Sequence, residues 1–421
     1  MNDYTQKFER IHPQTPFSRL AVESRRFVQE KALRHRFTLQ ELKQVCDIAR
    51  DLELWNEAPI QQVWPADTGP SREDKRRILA ALTAHWQRLR ETPNSYAGFH
   101  KAPPRAEQRI VFGERRKGAL GLGDCPVASP RTRCCNLMTL DAVENCGFDC
   151  SYCSIQSFYH GDRVNFDPGF AEKLAALELD PKRIYHIGTG QSSDSLMWGN
   201  RGGVLDALLA FARAHPNVIL EFKTKSKNVA HLLRNELPPN LILTWSLNTP
   251  TLIDHEEHLT ASLEERLTAA QRVAEKGALV GFHLHPMIHY DRWEAEYAAL
   301  FEALLARFDP RQVALVSLGT LTFIKPVMKR IRERDFRSKI LQMPLVETAG
   351  KWSYPEAVKL DLFRHAYAGL TPWHGEVFFY LCMEPATLWP RVFGFDYPDN
   401  AAFEAAMKAH YMEKIEALRK Y

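Results

Sequence analysis

Three regularly spaced cysteines are the residues of this chain best suited to chemistry. Cys146, Cys150 and Cys153 lie in the segment ENCGFDCSYCSIQ and have the spacing CxxxCxxC. Thiolates bind iron–sulfur clusters, and three protein ligands on a [4Fe–4S] cluster leave one iron open. An open iron can chelate the amino and carboxylate groups of S-adenosylmethionine (SAM), and electron transfer into the sulfonium then releases a 5′-deoxyadenosyl radical. The spacing therefore predicts a [4Fe–4S] cluster and SAM as cofactors, with Tyr152 packed near the cluster or the adenine.

A zinc site is the alternative use of the three cysteines. Structural zinc takes four ligands, so a fourth would have to come from His160 or Cys135. The triad directly follows a predicted strand, and this position suits an open cluster better than a closed zinc site. The corresponding alternative function is an iron–sulfur or zinc-binding protein without catalysis.

The elements that must position the triad form an alternating pattern. From about residue 136, short β-rich runs alternate with amphipathic helical runs. This alternation predicts parallel strands joined by right-handed crossovers, which fits an α/β fold with a partial (β/α)6 barrel. The chemistry of such barrels lies at the C-terminal ends of the strands. The predicted strands are NLMTL, 183–188, 218–224, 241–248, 279–287 and 312–322, and the predicted helices are 168–179, 202–214, 226–236, 262–276, 291–307 and 325–334.

Three regions follow from the change of pattern along the chain. Residues 1–120 are predicted to form a mainly helical N-terminal region, residues 121–345 the barrel core, and residues 346–421 a mixed α/β C-terminal tail that covers the barrel. The first region holds 22 Lys and Arg against 15 Asp and Glu, whereas the remainder holds 33 against 36. A basic flank could meet a phosphate backbone, and a solvated helical surface is the alternative.

The overall composition is that of a globular protein with a sizeable core. Of 421 residues, 45% are apolar and 25% are charged. The first residues, MNDYTQKFER, lack a signal-peptide pattern, and no stretch approaches the ~20 apolar residues of a membrane span. We therefore expect a cytoplasmic protein that does not bind membranes, in which clustered cysteines are ligands or catalytic groups rather than disulfides.

The cysteine triad and the motifs that follow it resemble those of a known group. CxxxCxxC after the first strand of a β/α barrel is the signature of the radical SAM superfamily, and within it the chain resembles the spore photoproduct lyase family. The likeness runs in order over residues 136–335. It comprises NCGFDCSYCSIQ, QSSD (191–194), Thr224-Lys225, SLN (246–248), the run 264–297 and FIKP (323–326).

The resemblance implies repair of a thymine photoproduct in DNA. In that family the deoxyadenosyl radical takes a hydrogen from a methylene-bridged thymine dimer, a cysteine returns one, and tyrosines near the cluster assist. The implied partners are SAM, DNA and a reductant such as flavodoxin or ferredoxin. This chain has Gln191 where the family has the donor cysteine and Ser154 where it has a second tyrosine. Because both changes affect hydrogen return, the alternative is a radical SAM enzyme that acts on RNA, a protein or a small molecule.

The resemblance also implies a SAM site at the ends of the strands. Gly188 and Gly190 would offer backbone carbonyls to the SAM amino group, although glycines there could equally serve a tight turn. Ser193 follows them within QSSD. Lys225, which ends the third strand, could pair with the SAM carboxylate or be an ordinary surface lysine.

Four further polar residues lie near strand ends. Ser246 and Asn248 could hydrogen-bond the ribose or the methionine part of SAM, with helix capping as the alternative. His283 and His285 are two residues apart in the fifth strand, so their side chains point to the same side. We expect them to be hydrogen-bonded in the barrel interior rather than to bind a metal, because no third ligand is evident.

The remaining cysteines offer two further possibilities. Cys382 could replace the missing hydrogen donor if the tail folds back over the barrel, with plain packing as the alternative. Cys125, Cys134 and Cys135 precede the first strand and should lie toward the bottom of the barrel. A second cluster at these three would need a fourth ligand.

Overall fold

The structure is a computed structural model that describes residues 3–66, 69–99, 110–125, 131–154, 163–348 and 350–419. Within these residues, the helices are α1 (Asp3–Ile11), α2 (Val22–His35), α3 (Leu39–Trp55), α4 (Ile60–Val63), α5 (Arg72–Glu91), α6 (Phe170–Ala175), α7 (Val204–Ala214), α8 (Ala230–Arg234), α9 (Pro250–Glu256), α10 (Leu263–Glu275), α11 (Trp293–Arg307), α12 (Lys325–Arg332), α13 (Glu356–Gly369), α14 (Trp389–Phe393) and α15 (Asn400–Leu418). The strands of the same residues are β1 (Val111–Glu114), β2 (Leu122–Asp124), β3 (Met138–Leu140), β4 (Val143–Glu144), β5 (Asp149–Cys150), β6 (Arg163–Phe166), β7 (Tyr185–Thr189), β8 (Val218–Thr224), β9 (Leu241–Ser246), β10 (Glu257–His258), β11 (Leu279–Met287), β12 (Val313–Thr320), β13 (Thr322–Phe323), β14 (Val346–Thr348), β15 (Lys351–Ser353) and β16 (Phe378–Leu381). No helix of the described ranges is long and apolar enough to cross a membrane.

The chain forms two compact units, and the first is mainly helical, as predicted for the N-terminal region. It comprises Met1–Arg105, His289–Asp291 and Thr322–Pro355. A capping box of Thr38 and Glu41 starts α3, and apolar side chains of α1, α2, α3 and α5 build its core. The domain boundaries drawn from the sequence remain a prediction.

The second unit contains an eight-stranded sheet in the order β16-β12-β11-β9-β8-β7-β3-β2. The neighbours from β3 to β16 are parallel, and β2 is antiparallel to β3. Helices α6, α7, α8, α10 and α11 fall between successive strands, which confirms the predicted partial β/α barrel. The tail, which was predicted to be mixed α/β, adds β16 to this sheet as a seventh parallel strand beside β12.

The tail helix α15 lies at the amino ends of the strands. The ammonium group of Lys408 donates to the carbonyl of Ile184, just before β7, at 3.0 Å. That of Lys414 donates to the carbonyl of Pro310, just before β12, at 2.7 Å. The helix therefore covers the end of the sheet opposite to the carboxyl ends, where barrel chemistry takes place.

A buried carboxylate organises the interior of the sheet. Glu221 on β8 contacts His186 on β7 at 2.9 Å and His283 on β11 at 2.8 Å. It also accepts a hydrogen bond from the Thr244 hydroxyl on β9 at 2.8 Å. The other ring nitrogen of His283 contacts the Ser317 hydroxyl on β12, so polar side chains link five adjacent strands. His283 thus has the hydrogen-bonded interior position expected from its spacing.

Burial sets the charge states of this layer. Burial alone would raise the pKa of Glu221, but hydrogen bonds from His186 and His283 lower it well below its usual value. Burial, together with nearby Lys223, lowers the pKa of His283 to about 4. At neutral pH we therefore expect an ionised Glu221 beside a neutral His283.

This arrangement predicts a loss of stability on acidification. Below its ordinary pKa of 6.5, His283 takes up a proton in the unfolded chain but stays neutral in the folded one until about pH 4. The free energy of unfolding should therefore fall by up to ~3 kcal/mol across that window. Urea unfolding at pH 7, 6 and 5 should show a shallower pH dependence in His283→Gln than in the wild type. Equal slopes in the two proteins would contradict the assignment.

Candidate active site

The cysteine loop follows β3 and is fixed by backbone pairing. Strand β5 pairs antiparallel with β10, with Cys150 opposite Glu257. The amide of Ser151 donates to the Glu256 carbonyl at 2.8 Å, and that of Cys153 donates to the Cys150 carbonyl at 3.2 Å. This pairing carries the loop across to the segment that follows β9 and α9.

Gly147 allows the loop to pack closely against the segment after β7. A Cβ atom at this position would lie 2.5 Å from the methyl of Met197 and 2.6 Å from the ring of Trp198. The thiol of Cys146 is 3.8 Å from the Met197 sulfur. A larger residue at 147 would require the side chains of Met197 and Trp198 to move away from the loop.

The three predicted cluster ligands lie close enough for their thiols to raise one another's pKa. Burial raises the pKa of Cys146 to about 12, with added contributions from Asp194 and Cys153. Burial also raises the pKa of Cys150, and Lys225 opposes that rise. In the described part of the chain, no group of three or more His, Cys, Asp or Glu side chains is placed to hold a single metal ion.

The chemistry of the loop fits an iron–sulfur cluster. Three thiols are the donor set of a cluster with one open iron, and such a cluster spaces its ligands more widely than one ion does. The buried Ser151 hydroxyl has no hydrogen-bond partner among the described residues, so it could donate to a bound group. His160, the alternative fourth zinc ligand, lies outside the described residues.

A fully buried carboxylate links the loop to the strand ends. Glu257 pairs with the Arg266 guanidinium at 2.6 Å and with the Lys225 ammonium at 3.5 Å, and it accepts a hydrogen bond from the Tyr152 hydroxyl. Burial alone would raise the pKa of Glu257, but Arg266 and Lys225 lower it to about 2. The sequence reasoning missed Glu257, whose only local signal is an acidic pair after α9.

Asp194 is a second carboxylate that the sequence reasoning did not single out. It accepts hydrogen bonds from the Thr224 hydroxyl and the Lys225 amide, both at 2.7 Å. It also accepts from the amides of Leu196 and Met197 at 3.0 and 2.9 Å. Burial raises its pKa, and these hydrogen bonds oppose the rise. Asp194 thereby fixes the segment after β7 to the end of β8.

The predicted residues at the end of β7 have distinct structural roles. Gly190 has φ +99, and a Cβ atom there would lie 2.8 Å from the Lys223 carbonyl oxygen, so this position requires glycine. Gly188 lies within extended β7 and packs against Leu137. The Ser193 hydroxyl accepts a hydrogen bond from the Trp198 indole at 2.8 Å.

The predicted residues at the end of β9 are held by neighbouring groups. The Ser246 carbonyl accepts from Arg266 at 2.8 Å. The Asn248 amide donates to the Pro286 carbonyl at 3.1 Å and accepts from the Tyr297 hydroxyl at 2.7 Å. Thr249, and neither of these two residues, caps α9, so the capping alternative is wrong.

Cys382 is a half-buried residue of the second unit, directly after β16. Its amide donates to the Leu318 carbonyl at 2.7 Å. Burial raises the pKa of its thiol to about 12, against the opposing effect of Lys223. Lys223 is the penultimate residue of β8, and Lys225 directly follows the strand.

The three cysteines before β3 gather near Cys382. The amide of Arg133 donates to the Glu384 carbonyl at 3.1 Å, and that of Cys134 donates to the side chain of Asn400, at the start of α15, at 3.2 Å. A hydrogen bond with Cys135 lowers the pKa of Cys134 to about 6. All eight cysteines are described, and none forms a disulfide.

A partial β/α barrel with CxxxCxxC after its first strand defines the radical SAM class. A family model described as spore photoproduct lyase matches residues 140–360, slightly more than half of the chain. The chain therefore belongs to the spore photoproduct lyase family.

Individual relatives agree over shorter stretches. Spore photoproduct lyase from Geobacillus sp. (strain Y412MC61) is 30% identical over 207 residues, which cover 46% of this chain and 59% of the relative. The Bacillus subtilis (strain 168) protein of the same name is 32% identical over 135 residues, covering 32% and 39%. The chain thus spans between two fifths and three fifths of these relatives.

Solved structures share the fold. A spore photoproduct lyase complexed with dinucleoside spore photoproduct matches with TM-score 0.56 and 20% identity, over 64% of this chain and 82% of that one. A mutant with bound AdoMet and dinucleoside spore photoproduct matches with TM-score 0.52 and 17% identity, over 80% and 95%.

The buried ion network predicts a large effect of neutralising Glu257. Glu257→Gln should lower the free energy of unfolding by ~3–5 kcal/mol, because it leaves the buried Arg266 and Lys225 charges uncompensated. Glu265→Gln, an isosteric change at a partly exposed ion pair of α10 with Lys227, is the matched control and should cost under ~1 kcal/mol. Urea unfolding of both variants measures these changes. Equal losses in the free energy of unfolding would show that the buried ion network does not depend on Glu257.

Proposed function

We propose that this chain is a radical SAM enzyme that acts on a thymine photoproduct in DNA. Cys146, Cys150 and Cys153 would bind a [4Fe–4S] cluster. Membership of the spore photoproduct lyase family carries the proposal. It is supported by the thiol triad beside Lys225 and by relatives whose structures contain AdoMet and a dinucleoside spore photoproduct.

The groups at the strand ends are suited to binding SAM. When bound, the cluster and SAM supply the radical that starts the reaction. The Lys225 ammonium, which opposes the rise in the pKa of Cys150, would bind the SAM carboxylate. Glu257 holds that ammonium in place. Gly188, near the end of β7, and Gly190, in the turn that follows, would present backbone carbonyls to the amino group. Contacts to the remainder of SAM would come from Ser193, Ser246 and Asn248.

Hydrogen return is the step for which this chain needs its own residues. A thiol has a weak S–H bond and can quench a product radical, which the amide of Gln191 cannot do. We propose Cys382 as the donor, because its thiol interacts with the ammonium of Lys223, which also interacts with that of Lys225. Tyr152, whose hydroxyl is bonded to Glu257, would assist from the cluster loop. A reductant such as flavodoxin or ferredoxin would supply the electron.

A second candidate function is a radical SAM reaction on RNA, a protein or a small molecule. Gln191 and Ser154 favour it, since they replace the residues that return hydrogen in the family. Anaerobic reconstitution with SAM and ultraviolet-treated DNA, followed by mass spectrometry of nucleosides, separates the two functions. Loss of photoproduct together with deoxyadenosine release supports DNA repair, whereas deoxyadenosine release with unchanged photoproduct supports the second function.

The cluster assignment predicts about four irons per chain after anaerobic preparation. Cys150→Ala should abolish both the brown absorption and SAM cleavage. Cys46→Ala, which removes a buried thiol of the helical unit, is the control and should keep both. Stoichiometric zinc without iron uptake would contradict the assignment.

The SAM assignment predicts that Lys225→Ala keeps the cluster and weakens SAM binding. The free energy of SAM binding should become weaker by ~1.5–3 kcal/mol, the contribution of one charge-assisted hydrogen bond. Lys227→Ala removes a surface ammonium two residues further along and should leave SAM affinity unaltered. Calorimetric titration of reconstituted protein measures both, and equal affinities would exclude Lys225 from the site.

The donor assignment predicts that Cys382→Ala preserves SAM cleavage while it lowers product yield or diverts it to a side adduct. Gln191→Cys should raise the yield on a photoproduct substrate if DNA repair is the natural reaction. Wild-type behaviour of Cys382→Ala would move the donor role to Tyr152, the substrate or an external reductant. No turnover of any thymine photoproduct by Gln191→Cys would favour the second function.

A further inference from the structure

Lys223 is a basic side chain in the interior of the partial barrel. It lies two residues after Glu221 in β8, so the two side chains point to the same side of the sheet. Because Glu221 contacts His283 across the interior at 2.8 Å, Lys223 also faces the interior. Among the residues that the structure describes, it makes no hydrogen bond and no ion pair. Enclosed ammonium groups are ordinarily paired, so this one is available to a ligand.

His285 on β11 is a second basic side chain of the same interior. A Cβ atom on Gly319 of β12 would lie 2.5 Å from its imidazole ring, so glycine at that position leaves the space that the ring occupies. Burial lowers the pKa of the imidazole, and the neighbouring Lys223 and Lys225 lower it further. Within the described ranges its ring nitrogens make no hydrogen bond. His285 therefore lies beside Lys223 and is equally available.

The two side chains line an enclosed space and are not part of the packed core. Both residues are half-buried, yet burial lowers the pKa of each. The neighbouring Lys225 also lowers the pKa of Lys223, whereas Cys382 and Glu221 oppose that change. A group that is surrounded by protein and still accessible lies at the wall of a cavity.

Lys223 places this space between the proposed hydrogen donor and the proposed SAM site. Its ammonium interacts with the thiol of Cys382 and with the ammonium of Lys225. A substrate has to meet the deoxyadenosyl radical first and the donor afterwards, so it must lie between these groups. Lys223 and His285 are therefore placed to contact the substrate.

We propose that Lys223 and His285 bind the phosphodiester group that links the two nucleosides of the photoproduct. An ammonium and an imidazole can both donate hydrogen bonds to phosphate oxygens. The charge of Lys225 is compensated by Glu257, and that of Glu221 is stabilised by its hydrogen bonds. The charge of Lys223 remains for a ligand to compensate, which an anion does and a neutral base does not. This inference rests on the proposed function and adds to it the group of the substrate that is recognised.

The test compares two forms of the thymine photoproduct, one with the bridging phosphodiester and one, the dinucleoside, without it. Calorimetric titration of reconstituted protein with SAM, in the absence of reductant, measures both affinities without turnover. The wild type should bind the phosphodiester form about 10- to 100-fold more tightly, the effect of one charge-assisted hydrogen bond. Lys223→Met, which removes the ammonium and keeps an unbranched side chain, should reduce this ratio to nearly one. Lys227→Met at the surface is the matched control and should keep the wild-type ratio.

His285→Gln provides a second variant of the same site. It should lower the ratio by about 2- to 10-fold, the effect of one hydrogen bond from an uncharged group. The ratio compares two ligands on the same protein, so a smaller folded fraction in a variant leaves it unchanged.

The outcomes separate this inference from the proposed function. Equal binding of the two forms by the wild type would exclude the phosphodiester site and leave the DNA substrate in place. A wild-type ratio in Lys223→Met would do the same, and a fall in both of its affinities would assign Lys223 to the bases. If the wild type cleaves SAM but binds neither form, the proposed function fails and this inference fails with it.

Discussion

The arrangement of the candidate active site depends on one buried carboxylate, that of Glu257. It compensates the charges of Arg266 and Lys225 and accepts a hydrogen bond from the hydroxyl of Tyr152. A buried charge without a partner costs several kcal/mol, so Glu257 and Arg266 can be buried only together. Because Tyr152 of the cysteine loop and Lys225, directly after β8, bind the same carboxylate, this requirement fixes the loop at the strand ends.

The buried carboxylate of Glu221 supports this arrangement from within the sheet. Glu221 lies four residues before Lys225 on β8 and gathers His186, Thr244 and His283 from the neighbouring strands. Buried polar groups of this kind are costly unless they are hydrogen-bonded, and these side chains bond one another across the sheet.

The proposed hydrogen donor lies outside the segment that matches the family. That segment covers residues 140–360, whereas Cys382 follows β16. Within the segment, the departures are Gln191 and Ser154. The shared part thus contains the residues proposed to hold the cofactors, and the strand after it adds Cys382.

The sequence by itself determined the local features of this protein. The spacing of Cys146, Cys150 and Cys153 and the alternation of strands and helices are local patterns, and each can be recognised within a few dozen residues. It also placed Lys225 at a strand end, since strand length is local too. Only the tertiary structure decided that Glu257 would lie opposite Cys150, more than a hundred residues away, and that β16 would join β12. Charge compensation and strand pairing depend on which distant elements become neighbours, and periodicity carries no information about that choice.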